Sequence, residues 1–234
     1  MIYVTSDLHG YPLQLFQALL KTAGFCDEDF LFVLGDVIDR GEYGVELLRW
    51  MAEQPNVELI LGNHEAMLLS VSGWLFDEVT EESLEQLDTK KLALLNNWYT
   101  NGAAPTIKGL RKLLKEEPDI LEGILDYLQD APLYDQVTVG GTAYILVHSG
   151  LKNFRQDRPL EDYSPAELLW ERPDLNTRYF PDATVIFGHT PTEFFGPQYA
   201  GKMVKTPTWF CIDTGAATGN KPMLLRLDDG KEFY

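Results

Sequence analysis

Short apolar runs punctuate the chain, and each gives way abruptly to Gly, Asn, Asp or His: "IYVTSDLHG", "FLFVLGD", "VELILGN", "TAYILVHSG", "TVIFGHT" and "WFCIDTG". A final run, "PMLLRLDDG", follows the Gly-rich turn "GAATGNK". Near-continuous Val, Ile, Leu and Phe content predicts strands buried on both faces, as in a layered α/β protein. Between the first three runs the apolar spacing becomes helical, over Leu13 to Ala23 and Tyr43 to Glu53. The early chain therefore reads β-α-β-α-β.

From Ala66 to about Leu133 the period stays helical through "AMLLSVSGWLF", "EESLEQLDTKKLALLNNWY" and "LRKLLKEEPDILEGILDYL". This stretch, residues 66–133, reads as a helical insert on or beside the core. Its Leu-rich spacing fits packing, with a lid or substrate platform as the alternative. "NGAAPTIKG" (Asn101 to Gly109) reads as a turn-rich break within it, either bordering an active site or simply connecting helices. From about Tyr134 strands return with longer loops, notably Leu151 to Asp182. No repeat, low-complexity tract or linker divides the chain, so residues 1–234 are expected to form one domain.

Composition narrows the function classes. The 234 residues carry 19 Lys+Arg against 36 Asp+Glu, a net charge of −17. Such a surface repels nucleic-acid backbones and anionic lipids, and neither is expected as a partner. It would also repel small phosphate esters unless cations were concentrated locally. Cys26 and Cys211 lie far apart and have no metal-type spacing, which suits two reduced thiols. The N-terminal "MIYVTSDLHG" lacks the basic and apolar regions of a signal peptide, and no apolar stretch reaches the length of a membrane span. A cytoplasmic protein is expected.

The chain has four histidines, His9, His64, His148 and His189. Each sits at or just past the end of a predicted strand, with a glycine within two residues, and none is expected on a helix face. Asp7 and His9 are spaced i, i+2, so in an extended segment their side chains would leave on one face. Asp36 ends the second strand, and Asn63 ends the third. Carboxyl ends of strands in α/β sheets line the crevice where ligands bind. Asp7, His9, Asp36, Asn63, His148 and His189 thus form a set of oxygen and imidazole donors with no thiolate. That set suits Mn, Fe, Zn or a similar divalent ion, and it is large enough for two ions with open positions.

The segments "DLHG", "GDVIDRG" and "GNHE", with later histidines in "VHSG" and "FGHT", resemble the calcineurin-like metallophosphoesterases. More narrowly, they resemble the phosphoprotein phosphatase branch that includes bacterial serine/threonine phosphatases. The likeness covers nearly the whole chain. It implies a β-sandwich flanked by helices, a four-layer α/β/β/α arrangement, holding two divalent metal ions. Manganese is the first choice, with iron, zinc, nickel or magnesium as alternatives. Asp7 and His9 would hold the first metal, Asp36 would bridge, and Asn63, His148 and His189 would complete the second. The pair would supply a hydroxide to attack phosphorus in line. His64 would then act as the general acid, with Asp39 hydrogen-bonded to it and favouring its imidazolium form. Arg40 and Asn63 would face the phosphate, and Arg172 in "LLWERP" would be a second clamp.

The implied activity is hydrolysis of phosphate monoesters, foremost of a serine/threonine phosphoprotein, with a small phosphoester as the other partner. Within the same fold, a diadenosine-tetraphosphate hydrolase is the alternative. Such enzymes typically carry Ala in place of the second Asp and Asp in place of the Glu after the His. Here Asp39 and Glu65 stand, which leans toward a phosphomonoesterase, with Glu65 read as a supporting residue. A metal-free binding scaffold would have eroded ligand positions, and all six are present. "CIDTGAA" (Cys211 to Ala217) resembles the Asp-Thr-Gly of aspartic proteases, but those need two such loops. A strand end and turn is the expectation there.

Overall fold

A computed structural model describes residues 1–76 and 88–234 of the chain. Two five-stranded mixed sheets stack face to face. The first has the order β10-β9-β1-β2-β3, built from Ile2–Thr5 (β1), Phe30–Val33 (β2), Val57–Leu59 (β3), Leu224–Arg226 (β9) and Lys231–Phe233 (β10). The second has the order β4-β5-β6-β8-β7, built from Tyr134–Val139 (β4), Thr142–Val147 (β5), Ala183–Phe187 (β6), Val204–Lys205 (β7) and Trp209–Cys211 (β8). Strands β1, β2 and β3 run parallel, as do β5, β6 and β8, while β4, β7, β9 and β10 close the edges antiparallel.

The two-residue period of the strands divides their side chains between layers. Val4, Phe32, Leu146 and Ile186 point into the space between the sheets, where Leu34, Ile60, Ile212, Met223 and Leu225 join them. Their neighbours Tyr3, Leu31 and Val33 face outward onto helices. On the second sheet Ile145, Val147, Val185 and Phe187 likewise face away from the first. Burial on both faces explains the unbroken apolar runs, and the four-layer α/β/β/α arrangement follows.

Helices α1 (Leu13–Ala23) and α2 (Gly44–Ala52) match the expected segments to within a residue at each end. Helix α3 spans Asn63–Leu75. The insert continues with α4 (Thr89–Thr100), α5 (Ala104–Glu116) and α6 (Pro118–Asp130). Residues 81–87, which open the second insert segment of the sequence reading, lie outside the described residues. Trp98, Leu110, Leu113, Leu121, Ile124 and Leu128 of the insert join one apolar cluster with Tyr3, Leu31 and Val33, so its helices enlarge the core of the first sheet.

One expectation needs correction. "NGAAPTIKG" is not a break along its length, because α5 begins at Ala104 and runs through Gly109. Pro105 sits in the first helical turn, where a missing N–H costs nothing, and only residues 101–103 form the turn. The stretch "LRKLLKEEPDILEGILDYL" is helical as its spacing predicts, in two helices divided at Glu117, the residue before Pro118, which leaves the helical conformation with φ −145° and ψ 65°. The long loop from Leu151 to Asp182 contains a short helix, α7 (Pro165–Leu169).

Candidate active site

The described histidines and their partners sit on loops at one end of the strands, at the rim shared by the two sheets. His148 directly follows β5 and His189 comes two residues after β6, while Asp7 and Asp36 lie just beyond β1 and β2. Asn63 and His64 are instead the first two residues of α3, so one of the four histidines does fall in a helix. Nor is the Asp7–His9 segment extended: both residues have positive φ, 51° and 41°. The loop is pinned through its backbone, where the N–H groups of Asp7, His9 and Gly10 donate to the carbonyls of Gly35, Asp36 and Val37. Two loops thereby brace one another. Gly35 (φ 78°) allows the close approach, since a Cβ there would strike the Gly62 backbone and the His148 ring.

Asp36 is the hub. Its carboxylate lies 3.5 Å from Nε2 of His9, 3.8 Å from Nε2 of His64 and 3.4 Å from Nε2 of His148. His9, Asp36 and His64 offer donor atoms within 4.8 Å of one another, and so do Asp36, His148 and His189. The Asn63 side-chain oxygen stands 2.8 Å from Nε2 of His148. Asp7 joins neither group: its carboxylate accepts from the Ser6 hydroxyl and from the His189 backbone N–H at 2.9 Å.

Secondary contacts orient the rings. Nδ1 of His9 donates to the Ile38 carbonyl at 2.9 Å, and Nδ1 of His148 to the Leu34 carbonyl at 2.7 Å. Both rings thus turn Nε2 toward Asp36. Burial holds His9 down to about 3 and lowers His148 and His189 as well, which favours the neutral form that ligates metal. Burial also works against an ionised Asp36, but the surrounding histidines outweigh it and hold the carboxylate below its ordinary value.

His64 is different. Its Nδ1 lies 2.6 Å from Asp39 Oδ2. Burial opposes its charge, yet Asp36 and the hydrogen bond and charge of Asp39 prevail, and its affinity for a proton rises above that of a free imidazole. Asp39 is itself gripped from the insert. The Trp98 indole donates to Oδ2 at 2.8 Å, and the Thr106 hydroxyl donates to Oδ1 at 2.6 Å while accepting the Asp39 N–H at 2.9 Å. Arg40 follows, its backbone N–H bonded to the Gly102 carbonyl. Its guanidinium spans from Nε2 of His9 (3.0 Å) to Nε2 of His64 (3.2 Å).

Glu65 is a brace, as its position after His64 suggested. It is fully buried, and its two oxygens accept the backbone N–H groups of Asp36, Val37, Ile38 and Gly62. Burial, with the Asp36 charge adding to it, pushes its carboxyl up to about 7. Asp213 lies in the "CIDTGAA" segment, expected to be a strand end and turn. The turn is there, with Gly215 N–H donating to its carboxylate at 2.9 Å, but the side chain is buried near the centre. Burial raises it to about 7, and Asp36 contributes. Arg172 lies in the exposed segment after α7, and its charge adds to the depression of His148 and His189.

The donor set fits divalent ions. Nε2 of His189 is buried without a hydrogen-bond partner among the described residues, an orphan that a metal would satisfy. Asp7, Asp36 and Asp213 bury three carboxylates in one region, where Asp36 and Asp213 both push Asp7 up after burial itself. Cations between them would offset this repulsion. His9 and Asp36 on one side, and Asp36, Asn63, His148 and His189 on the other, could hold two ions.

The arrangement has known counterparts. Residues 1–215 match the family model of calcineurin-like phosphoesterases. A symmetrical bis(5'-nucleosyl)-tetraphosphatase of Chromobacterium violaceum is 41% identical over 202 residues, covering 82% of this chain and 57% of that protein. An enzyme of the same name from Buchnera aphidicola subsp. Schizaphis graminum is 30% identical over 122 residues, 51% of this chain and 44% of that one. The chain thus spans about half the length of these curated relatives. Among solved structures, one described provisionally as a diadenosine tetraphosphatase superposes with a TM-score of 0.65 at 18% identity, covering 99% of this chain and 90% of that one.

Proposed function

The chain belongs to the calcineurin-like phosphoesterase family, and from that premise we propose that it hydrolyses the central phosphoanhydride of a dinucleoside tetraphosphate, water adding across the bond to release two nucleoside diphosphates. The names of its relatives favour this reading over the phosphoprotein phosphatase expected from the motifs. The observation that carries it is the Asp36 hub with three imidazoles around it and Arg40 across two of them.

Bound at such a site, two divalent ions would make a hydroxide available near neutral pH and polarise the phosphoryl group. The residues of the chain do the rest. Arg40, free to leave His9 and His64 when an anion arrives, grips phosphate oxygens with its planar fork. Arg172 and the Asn63 amide face the phosphate from the other elements. His64 holds a proton on Nε2 while Asp39 accepts the Nδ1–H. When the P–O bond breaks, that proton passes to the departing oxygen, and Trp98 and Thr106 keep Asp39 in place as it does so. On a protein of net charge −17, Arg40 and Arg172 set positive charge beside the centre, and cations held there would add to it.

One feature favours a second reading, a phosphomonoesterase. A buried His–Asp acid pair matters most when the leaving group is an alkoxide, which departs poorly unless protonated. A substrate panel separates the two. Purified protein is assayed with manganese on diadenosine tetraphosphate, p-nitrophenyl phosphate and a phosphoserine peptide, and products are resolved by chromatography. The proposal requires ADP as the sole nucleotide product, at a kcat/KM well above that for either monoester. Preference for the phosphopeptide would replace it.

A further inference from the structure

Beside His189 the surface opens into a cavity of about 440 Å³, of whose lining only Arg172 has a role above. Its lining includes Arg172, Leu175, Asn176, Thr190, Phe194 and Phe195. Ten large apolar side chains are exposed among the described residues, and two of them, Leu175 and Phe194, line this cavity. A third, Trp170, stands edge-on to the His189 ring at 6.0 Å. Phe194 is 69% exposed, the highest of the ten. Single exposed apolar residues need no explanation, but a cluster at the mouth of a cavity next to a reactive centre does.

The polar groups are sparse and placed. Arg172 lies 6.0 Å from the Phe194 ring centre, between the cavity and the centre whose histidines feel its charge. Asn176 is carried on a stiff turn, where Asp174 accepts the backbone N–H groups of Asn176 (2.7 Å) and Thr177 (3.1 Å). The Arg178 guanidinium closes that turn from behind by donating to the carbonyls of Leu175 and Thr177. The Thr190 hydroxyl, on the residue after His189, is buried without a partner among the described residues. An exposed aromatic ring with a guanidinium over it, an amide on a hydrogen-bonded turn and an orphan hydroxyl match a flat heteroaromatic ring joined to a phosphate chain. They do not match an extended peptide, which needs backbone partners along a groove or sheet edge.

We infer that this cavity seats the base of one nucleotide of the substrate, stacked on Phe194 and read at its edge by Asn176, with Arg172 over the adjoining phosphates. The inference rests on the nucleotide reading above, and binding tests it apart from turnover. Calorimetry would compare ADP with inorganic pyrophosphate on manganese-loaded protein at equal free manganese, for the natural chain, Phe194→Ala and Asn176→Ala. The base should make ADP bind about tenfold or more tighter than pyrophosphate, as stacking on an aromatic ring gives. Phe194→Ala should remove most of that ratio, and Asn176→Ala part of it. Equal affinities in the natural chain would overturn the inference, as would a ratio untouched by Phe194→Ala. Hydrolysis of diadenosine tetraphosphate is scored separately. If it fails while the ADP ratio holds, the activity is wrong and the base site stands; if it succeeds with no ratio, the reverse is true.

Discussion

Trp98, from the middle of the helical insert, donates its indole N–H to the same Asp39 oxygen that faces Nδ1 of His64, at 2.8 Å and 2.6 Å. The insert is therefore part of the acid pair and not only a packing layer. Trp98→Phe keeps most of the buried ring and removes one hydrogen bond to a charged carboxylate, an interaction of about 1.5–3 kcal/mol. We expect kcat to fall roughly tenfold, since 1.36 kcal/mol is a factor of ten, with metal content unchanged by elemental analysis. A variant with full activity would show that the bond does not position Asp39.

His64→Asn should lower kcat by about 100-fold or more, the usual contribution of a general acid, while divalent metal still co-purifies. Asp36→Asn should lose both. Asp39→Asn leaves burial acting on His64 without the partner that offsets it. The proton then leaves at lower pH, and the alkaline limb of the kcat profile should move to lower pH. An unmoved limb would assign that ionisation to another group.

How much of this was legible in the sequence depends on distance along the chain. The strand ends with their Asp, Asn and His residues announce themselves locally, because a buried strand must stop at a polar residue to leave the core. The grip on Asp39 does not: Trp98 and Thr106 stand 59 and 67 residues away, and helical periodicity marks Trp98 only as a core position. The geometry of Asp7 and His9 was likewise hidden, since nothing in "SDLHG" signals positive φ at non-glycine residues. Strand β10 escaped notice because "KEF" is short and mostly exposed, as an edge strand is.

Chelation should destabilise the protein. With the cations removed, Asp7, Asp36 and Asp213 would share a buried region in which Asp36 and Asp213 raise Asp7. An ion held at 100 times its dissociation constant adds about 2.7 kcal/mol, or about 5–10 °C in Tm for a chain of this size. Melting curves with EDTA and then with excess manganese should show that drop and its recovery. A Tm indifferent to both would argue against a metal at this site.

Glu167 locks the loop that carries Arg172. Its carboxylate accepts from Arg158 twice, from Asn153, and from the backbone and hydroxyl of Ser164 at the start of α7. Arg158 holds this carboxyl below its ordinary value of 4.5. A depressed carboxyl stabilises the fold above its unfolded value, and that stability is lost as pH falls through the folded one. The Tm gap between the natural chain and Glu167→Gln should thus be widest near pH 6–7 and narrow steadily below about 4. A constant gap would mean that the contacts act through shape and not charge.

Seven non-glycine residues have positive φ among those described, and six of them, Asp7, His9, Asp36, Asp39, Arg40 and His189, belong to this one centre. Each such residue costs about 1–3 kcal/mol, which the layered core has to offset. Selection for heat tolerance alone would erode these bends first, because relaxing any of them is the cheapest gain open to the chain. Because the same bends aim the side chains of the centre, a chain that must keep its chemistry while adapting to higher temperature should thicken the sandwich and leave its rim contorted.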